Sequence, residues 1–189
     1  MTITYNSPVI LTFSIIIVVI HLLNVILFPG LTHTLFTVRP QMSLFNIGDY
    51  FRLVSHVFGH GNWEHLFNNV TYLLLLGPIL EEKYGSYAIV AMMFITALST
   101  GVINVLLFST GLMGASGIVF MLIILISIVD IKEGTIPVTF LVVATIFIGR
   151  ELIHALYDDS ISQAAHIVGG SLGAFFGFFG KKGLKSITQ

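Results

Sequence analysis

Long apolar stretches separated by short polar segments dominate the chain. A membrane helix needs roughly 20 mainly apolar residues to cross about 30 Å of hydrocarbon, at about 1.5 Å per residue. The predicted spans are approximately residues 8–28, 63–80, 87–108, 116–129, 136–157 and 164–180. The pattern therefore predicts an all-α polytopic membrane protein, with a single domain over residues 1–189 that is built as a six-helix bundle.

The connection between the first two spans, from Pro29 to Asn62, is long enough to form a structured loop. The Pro29–Gly30 pair ends the first helix and turns the chain. Ser7 is placed to cap the first helix, and Pro8 suits its first turn. The first span is not expected to be a cleaved signal peptide, because no Lys or Arg precedes it and no small-residue cleavage site follows it.

Composition supports a lipid environment. Apolar residues make up 56% of the chain, charged residues only 9%, and the mean hydropathy is +0.98. Soluble domains carry about 25% charged residues, so we exclude a water-soluble globule and expect contact with membrane lipids. The net charge is −1 without a basic run, so no nucleic acid partner is expected. The absence of cysteine excludes disulfides, cysteine nucleophiles and thiolate metal sites.

The basic residues indicate an orientation. Six spans place both termini on one side of the membrane, and the lysines fall on that side while the arginines fall on the other. The lysines that share the side of the termini are Lys83, Lys132, Lys181, Lys182 and Lys185, and the opposite arginines are Arg39, Arg52 and Arg150. The excess of basic residues beside the termini predicts that the termini are cytoplasmic.

A serine and a histidine are predicted at one depth in the bilayer. From Ser116 to the charged turn at Asp130–Lys132 the fourth span provides only ~21 Å of helix, so Ser116 lies ~8–10 Å below the outer boundary. The preceding residues, 109–115, have poor helix propensity and are expected to be irregular. His166 lies ~22 Å from Lys181 by the same count. The two side chains form a candidate nucleophile–base pair.

Small residues in the sixth span predict close helix contact. Gly169, Gly173 and Gly177 form a four-residue ladder, which is a face for close approach of another membrane helix. Gly117, next to Ser116, has no side chain to obstruct that approach. We expect the fourth and sixth spans to touch along this face.

Two polar residues in the second span are candidates for transition-state stabilisation. His65 and Asn69 are four residues apart and thus share a helix face, and their depths bracket that of Ser116. Both can donate hydrogen bonds to an oxyanion, and the backbone N–H of Ser116 at its helix N-terminus is a third donor.

Several motifs together resemble one family. The motifs in this chain are Gly114-Ala115-Ser116-Gly117; Ala165-His166 followed by Gly169 and Gly173; His56, His60, His65 and Asn69; Phe51-Arg52; and Glu81 followed by Gly85. This set resembles the rhomboid family of intramembrane serine proteases, over roughly residues 50 to 180. The compact form is similar to the basic six-span bacterial type, which implies a bacterial inner membrane.

The resemblance implies a role for each matching residue. Ser116 would be the nucleophile, His166 the general base, and His65 with Asn69 the oxyanion donors. His60 and His56 would order the loop and bound water, and Gly114 and Gly117 would support the serine. Because water must reach a site below the outer boundary, we also expect His56, His60 and other residues of the first loop to line a polar path to it. Many bacterial members carry a tyrosine where this chain has Phe120, whose ring is still expected to pack on His166.

The resemblance also implies an activity without a cofactor or metal. The expected reaction is hydrolysis of single-span membrane proteins near the outer face, with lateral entry between the second and fifth spans. The main alternative is a rhomboid-fold pseudoprotease that binds membrane proteins without cutting them. A zinc protease should show His-Glu-x-x-His, which is absent from the sequence. Neither a second buried aspartate nor the inverted repeat of a transporter is found.

Overall fold

The computed structural model describes residues 5–129, 135–157 and 162–184, and its regular secondary structure is helical. The helices are α1 (Pro8–Ile26), α2 (Leu31–Leu35), α3 (Ile47–Ser55), α4 (Trp63–Tyr84), α5 (Ser86–Leu107), α6 (Ser116–Ser127), α7 (Val138–Tyr157) and α8 (Ser162–Leu184), with a 3₁₀ turn at His56–Phe58. The predicted all-α class is confirmed. Each predicted span coincides with one helix, with ends that differ by about one turn at most.

The α6 helix lies at the centre of the fold. It packs against α8, α4, α5 and α7, and the side chains of Met121, Leu122 and Leu125 are fully buried. Of the described helices, α1 and α5 are long and apolar enough to cross a membrane, with mean hydropathies of 2.8 and 2.1. The α6 helix is also apolar but has only 12 residues. The turn at Asp130–Lys132 and Lys185, used above for depth and orientation, lie outside the described residues.

The prediction that Ser7 caps α1 is wrong. Ser7 adopts a left-handed conformation with φ of 50°, and its side chain makes no capping hydrogen bond. Instead, the carboxylate of Glu81 on α4 accepts hydrogen bonds from the backbone N–H groups of Val9 (3.1 Å) and Ile10 (3.0 Å). A carboxylate at this end satisfies the unpaired donors of the first turn and complements the helix dipole.

The first loop docks on α5. Within α3, Arg52 forms an ion pair with Asp49 at 2.7 Å, and its Nε donates to the carbonyl of Thr34 at 2.9 Å, which ties α3 to α2. The carbonyl of Leu53 lies so close to Gly101 of α5 that a side chain at Gly101 would overlap it. The predicted structured loop is therefore held to the bundle by backbone contact.

The segment between α5 and α6 is irregular, as predicted, and is tied to the first loop. Val38 and Leu112 exchange two backbone hydrogen bonds of 2.9 and 3.1 Å. The backbone N–H of Gly114 donates to the carbonyl of His56 at 2.9 Å. These bonds satisfy backbone groups that have no helix partner and fix where α6 begins.

Candidate active site

Ser116 is the first residue of α6. The chain enters the helix through Gly114, whose φ of +122° suits a residue without a side chain, and Ala115. The first N–H groups of an α-helix lack intrahelical partners, and no side chain caps this end of α6, where the N–H of Ser116 lies. Ser116 is largely buried, with 8% of its surface exposed.

The α8 helix brings His166 to the same site. A Cβ atom on Gly169 would overlap the carbonyl oxygen of Gly117 and lie 2.8 Å from its carbonyl carbon. Gly173 meets the backbone of Met121 in the same way. The predicted small-residue contact between these two helices is therefore present, and the two backbones approach along it as closely as glycine allows.

The ring of Phe120 lies against the imidazole of His166. The two ring centroids are 4.0 Å apart with an interplanar angle of 37°. The contact expected from the sequence is thus present without a phenol oxygen. Because Phe120 lies one turn after Ser116 on α6, this packing orients the half-buried imidazole relative to the serine.

On α4, His65 and Asn69 face the start of α6. A Cβ atom on Gly114 would lie 2.7 Å from Nε2 of His65, so only glycine leaves room for this imidazole. The side-chain amide of Asn69 donates to Nε2 of His60 at 2.9 Å. An asparagine amide has two N–H donors, so one remains for a further acceptor.

The two histidines of the first loop lie behind the site and do not line it. His60 and His56 are 0% and 2% exposed, so the expectation that they line a water path is wrong. Loss of hydration on burial lowers the pKa of His60 to about 3 and that of His56 to about 4. Neutral His60 can accept the hydrogen bond from Asn69, and Nε2 of His56 pairs with the hydroxyl of Thr100 at 3.2 Å. Both residues buttress the site.

A cavity of about 840 Å³ joins the candidate residues. It opens beside α4, α6 and α8, and five of the predicted site residues reach its wall. The described residues that line it are Asn62, Glu64, His65, Asn68, Asn69, Tyr72, Ser116, Val119, Phe120, Ile123 and His166. Gly114 and Gly117 lie at the close contacts behind this wall. Ser116 and His166 therefore share one open cavity with two potential oxyanion donors.

Three polar residues of α4 that line the cavity were not singled out from the sequence. Glu64, Asn68 and Tyr72 follow one another at four-residue intervals on α4. This spacing places them on one helix face, next to that of His65 and Asn69. Polar residues that recur every four positions in an otherwise apolar span are the sequence feature that indicates them.

Sequence comparison agrees with this geometry. The family model for the rhomboid domain matches residues 48–183, a range that includes all of the candidate site residues. The chain belongs to the rhomboid family. Rhomboids are integral membrane proteins, and the family includes serine proteases.

Curated relatives of this rhomboid come from distant organisms. The chain is 23% identical to Rhomboid protease GlpG of Haemophilus influenzae over 137 residues, which cover 71% of each chain. It is 30% identical to Rhomboid-like protein 11, chloroplastic, of Arabidopsis thaliana over 45% of this chain and 32% of the relative. It is 28% identical to Rhomboid-related protein 1 of Caenorhabditis elegans over 69% of this chain and 40% of the relative.

Proposed function

We propose that this rhomboid is an intramembrane serine endopeptidase that hydrolyses single-span membrane proteins near the outer membrane face. The observation that carries the proposal is the shared cavity, in which Ser116 and His166 lie with His65 and Asn69. An alcohol nucleophile needs an adjacent base, and an acyl-transfer intermediate needs hydrogen-bond donors. The cavity provides both kinds of group.

In the proposed reaction, His166 accepts the hydroxyl proton of Ser116 as Oγ attacks the scissile carbonyl. The negative charge that develops on the carbonyl oxygen is stabilised by Asn69, His65 and the N–H of Ser116. The imidazolium then protonates the leaving amine, and a water molecule activated by His166 hydrolyses the acyl-enzyme. No metal or cofactor takes part in the proposed reaction.

The proposed membrane arrangement has six spans, α1, α4, α5, α6, α7 and α8, in one domain. The 12 residues of α6 extend ~18 Å, so in a ~30 Å hydrocarbon layer Ser116 lies roughly 10 Å below the outer boundary. The lysine distribution supports cytoplasmic termini. The resemblance to bacterial rhomboids, which include the relative from Haemophilus influenzae, supports placement in the inner membrane of a bacterium.

The geometry also supports a preference among substrates. A transmembrane helix hides its peptide bonds in its own hydrogen bonds, and unwinding it in lipid costs several kcal/mol for each stranded backbone group. That cost is smaller beside a wet cavity and at weak helix formers. We therefore propose that substrates enter laterally between α4 and α7 and carry small, helix-destabilising residues near their outer end.

Mutation of Ser116 tests the proposal. Purified wild-type protein should cleave a single-span substrate and react with a fluorophosphonate probe, whereas Ser116→Ala and His166→Ala should abolish cleavage without loss of the folded bundle. Ser127→Ala, at the other end of α6, is the matched control and should keep activity. A chelator should have no effect.

The same assay separates the two hypotheses for this chain. Cleavage by pure Ser116→Ala would refute the assignment of the nucleophile. A folded wild-type protein that binds membrane substrates but neither cleaves them nor reacts with the probe would favour the pseudoprotease.

A further inference from the structure

A polar stripe on α4 forms one wall of the candidate active-site cavity. Its members are Glu64, Asn68 and Tyr72, and all three are exposed. Lipid-facing positions of a membrane helix are apolar, because polar groups in hydrocarbon are costly. The stripe therefore faces water or an incoming substrate, and its chemistry bears on which substrates fit the cavity.

Among the described residues that line the cavity, Glu64 carries the one acidic side chain. Within the described part of the chain, Asp49 and Arg52 form an ion pair, and Glu64 forms none. The capping function at this helix end is already performed by Asn62, whose side-chain oxygen accepts from the N–H of His65 at 2.8 Å. The helix dipole stabilises an acidic residue in the first turn, but it would do so on any exposed face of that turn. The position of Glu64 on the cavity wall is therefore the property that needs an explanation.

The rise along α4 from Asn69 to Glu64 indicates which part of a substrate Glu64 meets. Glu64 precedes Asn69 by five residues, which corresponds to about 7.5 Å along α4 toward the outer side. An extended chain advances about 3.3 Å per residue, so this distance spans two or three substrate residues. A lysine or arginine side chain is long enough to reach one residue further.

We propose that Glu64 is a specificity residue, which binds a lysine or arginine about two to four residues from the scissile bond, on its outer side. This inference rests on the proposed protease activity and deepens it by naming a substrate class. Few membrane proteins would meet this requirement, because membrane proteins concentrate their basic residues on the cytoplasmic side of their spans. A basic residue at the outer end would distinguish a substrate from most other single-span proteins.

A matched set of substrates tests the proposal. A single-span substrate with a fixed Gly-Ala cleavage site would carry Lys, Gln or Glu at one scanned position of its outer flank. The readout is the ratio of kcat/KM for Lys over Gln, measured in neutral detergent. This ratio compares two substrates on the same enzyme, so an unfolded fraction cancels. Wild type should favour Lys about two- to fivefold at one or two adjacent positions, the range of an exposed ion pair, and high salt should reduce the ratio.

Three variants identify the responsible carboxylate. Glu64→Gln should bring the ratio close to one, and Glu64→Lys should favour the Glu substrate over the Lys substrate. Glu82→Gln, the same charge change at an exposed position near the other end of α4, should keep the wild-type ratio.

The outcomes distinguish this inference from the proposal on which it rests. A wild-type enzyme that cleaves the whole set with equal efficiency, or a Lys preference that survives in Glu64→Gln, would overturn the role of Glu64 and leave the protease activity standing. Failure of folded wild-type protein to cleave any member would overturn both.

Discussion

Replacement of Gly169 by alanine should separate activity from stability, because this glycine holds α8 against α6. The new Cβ atom would overlap the carbonyl oxygen of Gly117 and lie 2.8 Å from its carbonyl carbon. Carbon atoms pack best at about 3.5–4.0 Å, so the two helices would have to separate by about 1 Å. His166 lies one turn before Gly169 on α8 and would move with it.

The expected effect on turnover is large, and the effect on stability is moderate. A displacement of about 1 Å in a catalytic group can cost about 10²-fold in rate, and we expect a loss of that order in kcat. Overpacking costs typically ~1–3 kcal/mol, whereas replacing a helical glycine with alanine gains ~0.5–1 kcal/mol. The net loss in the free energy of unfolding should therefore be about 0–2.5 kcal/mol.

Gly149→Ala is the matched control for this prediction. Gly149 lies inside α7, and a Cβ atom there would meet no atom within 4 Å among the described residues outside its own stretch of helix. This change should keep activity and raise stability by about 0.5–1 kcal/mol. The assays are cleavage of a fixed membrane substrate and thermal unfolding in the same detergent. Wild-type kcat in Gly169→Ala would refute the argument that the α6–α8 contact positions His166.

Three further changes test other contacts. Glu81→Gln should lower the free energy of unfolding by about 1.5–3 kcal/mol, because hydrogen bonds to the charged carboxylate hold the start of α1, whereas exposed Glu82→Gln should change it little. Wild-type stability should fall as the pH drops below about 6.5, because the unfolded chain takes up a proton that His60, with its folded pKa of about 3, does not accept. The slope should be at most about 1.4 kcal/mol per pH unit for this residue, and His60→Gln should reduce it in pH-dependent thermal melts. Phe120→Ala should reduce turnover about two- to tenfold, since the aromatic contact with His166 is lost, whereas Phe120→Tyr keeps the ring and should retain activity.

Each of these expectations has a contradicting result. Equal melting temperatures for Glu81→Gln and Glu82→Gln would remove the capping argument. A stability that is independent of pH between about 6.5 and 5 would show that the buried histidine titrates normally. Full turnover in Phe120→Ala would show that the imidazole of His166 is oriented by other groups.

The sequence by itself determined the elements and the chemistry they carry. Hydrophobic periodicity and glycine spacing are local properties, so the six long helices, the start of α6 at Ser116 and the glycine face of α8 followed from the order of residues along the chain. The expectation that Ser116 and His166 lie at one level needed only the constant rise of a helix. The motif set likewise indicated the rhomboid family.

Only the tertiary structure decided which polar groups meet across the fold. Glu81 caps α1 from 72 residues away, in place of the neighbouring Ser7. His60 is buried behind Asn69, where the sequence suggested a wet path, and Glu64 reaches the cavity wall. These contacts depend on the rotation and separation of packed helices, which are set by the sum of many side-chain contacts and not by local propensity. A residue pattern fixes the face on which a group lies, and packing fixes what that face meets.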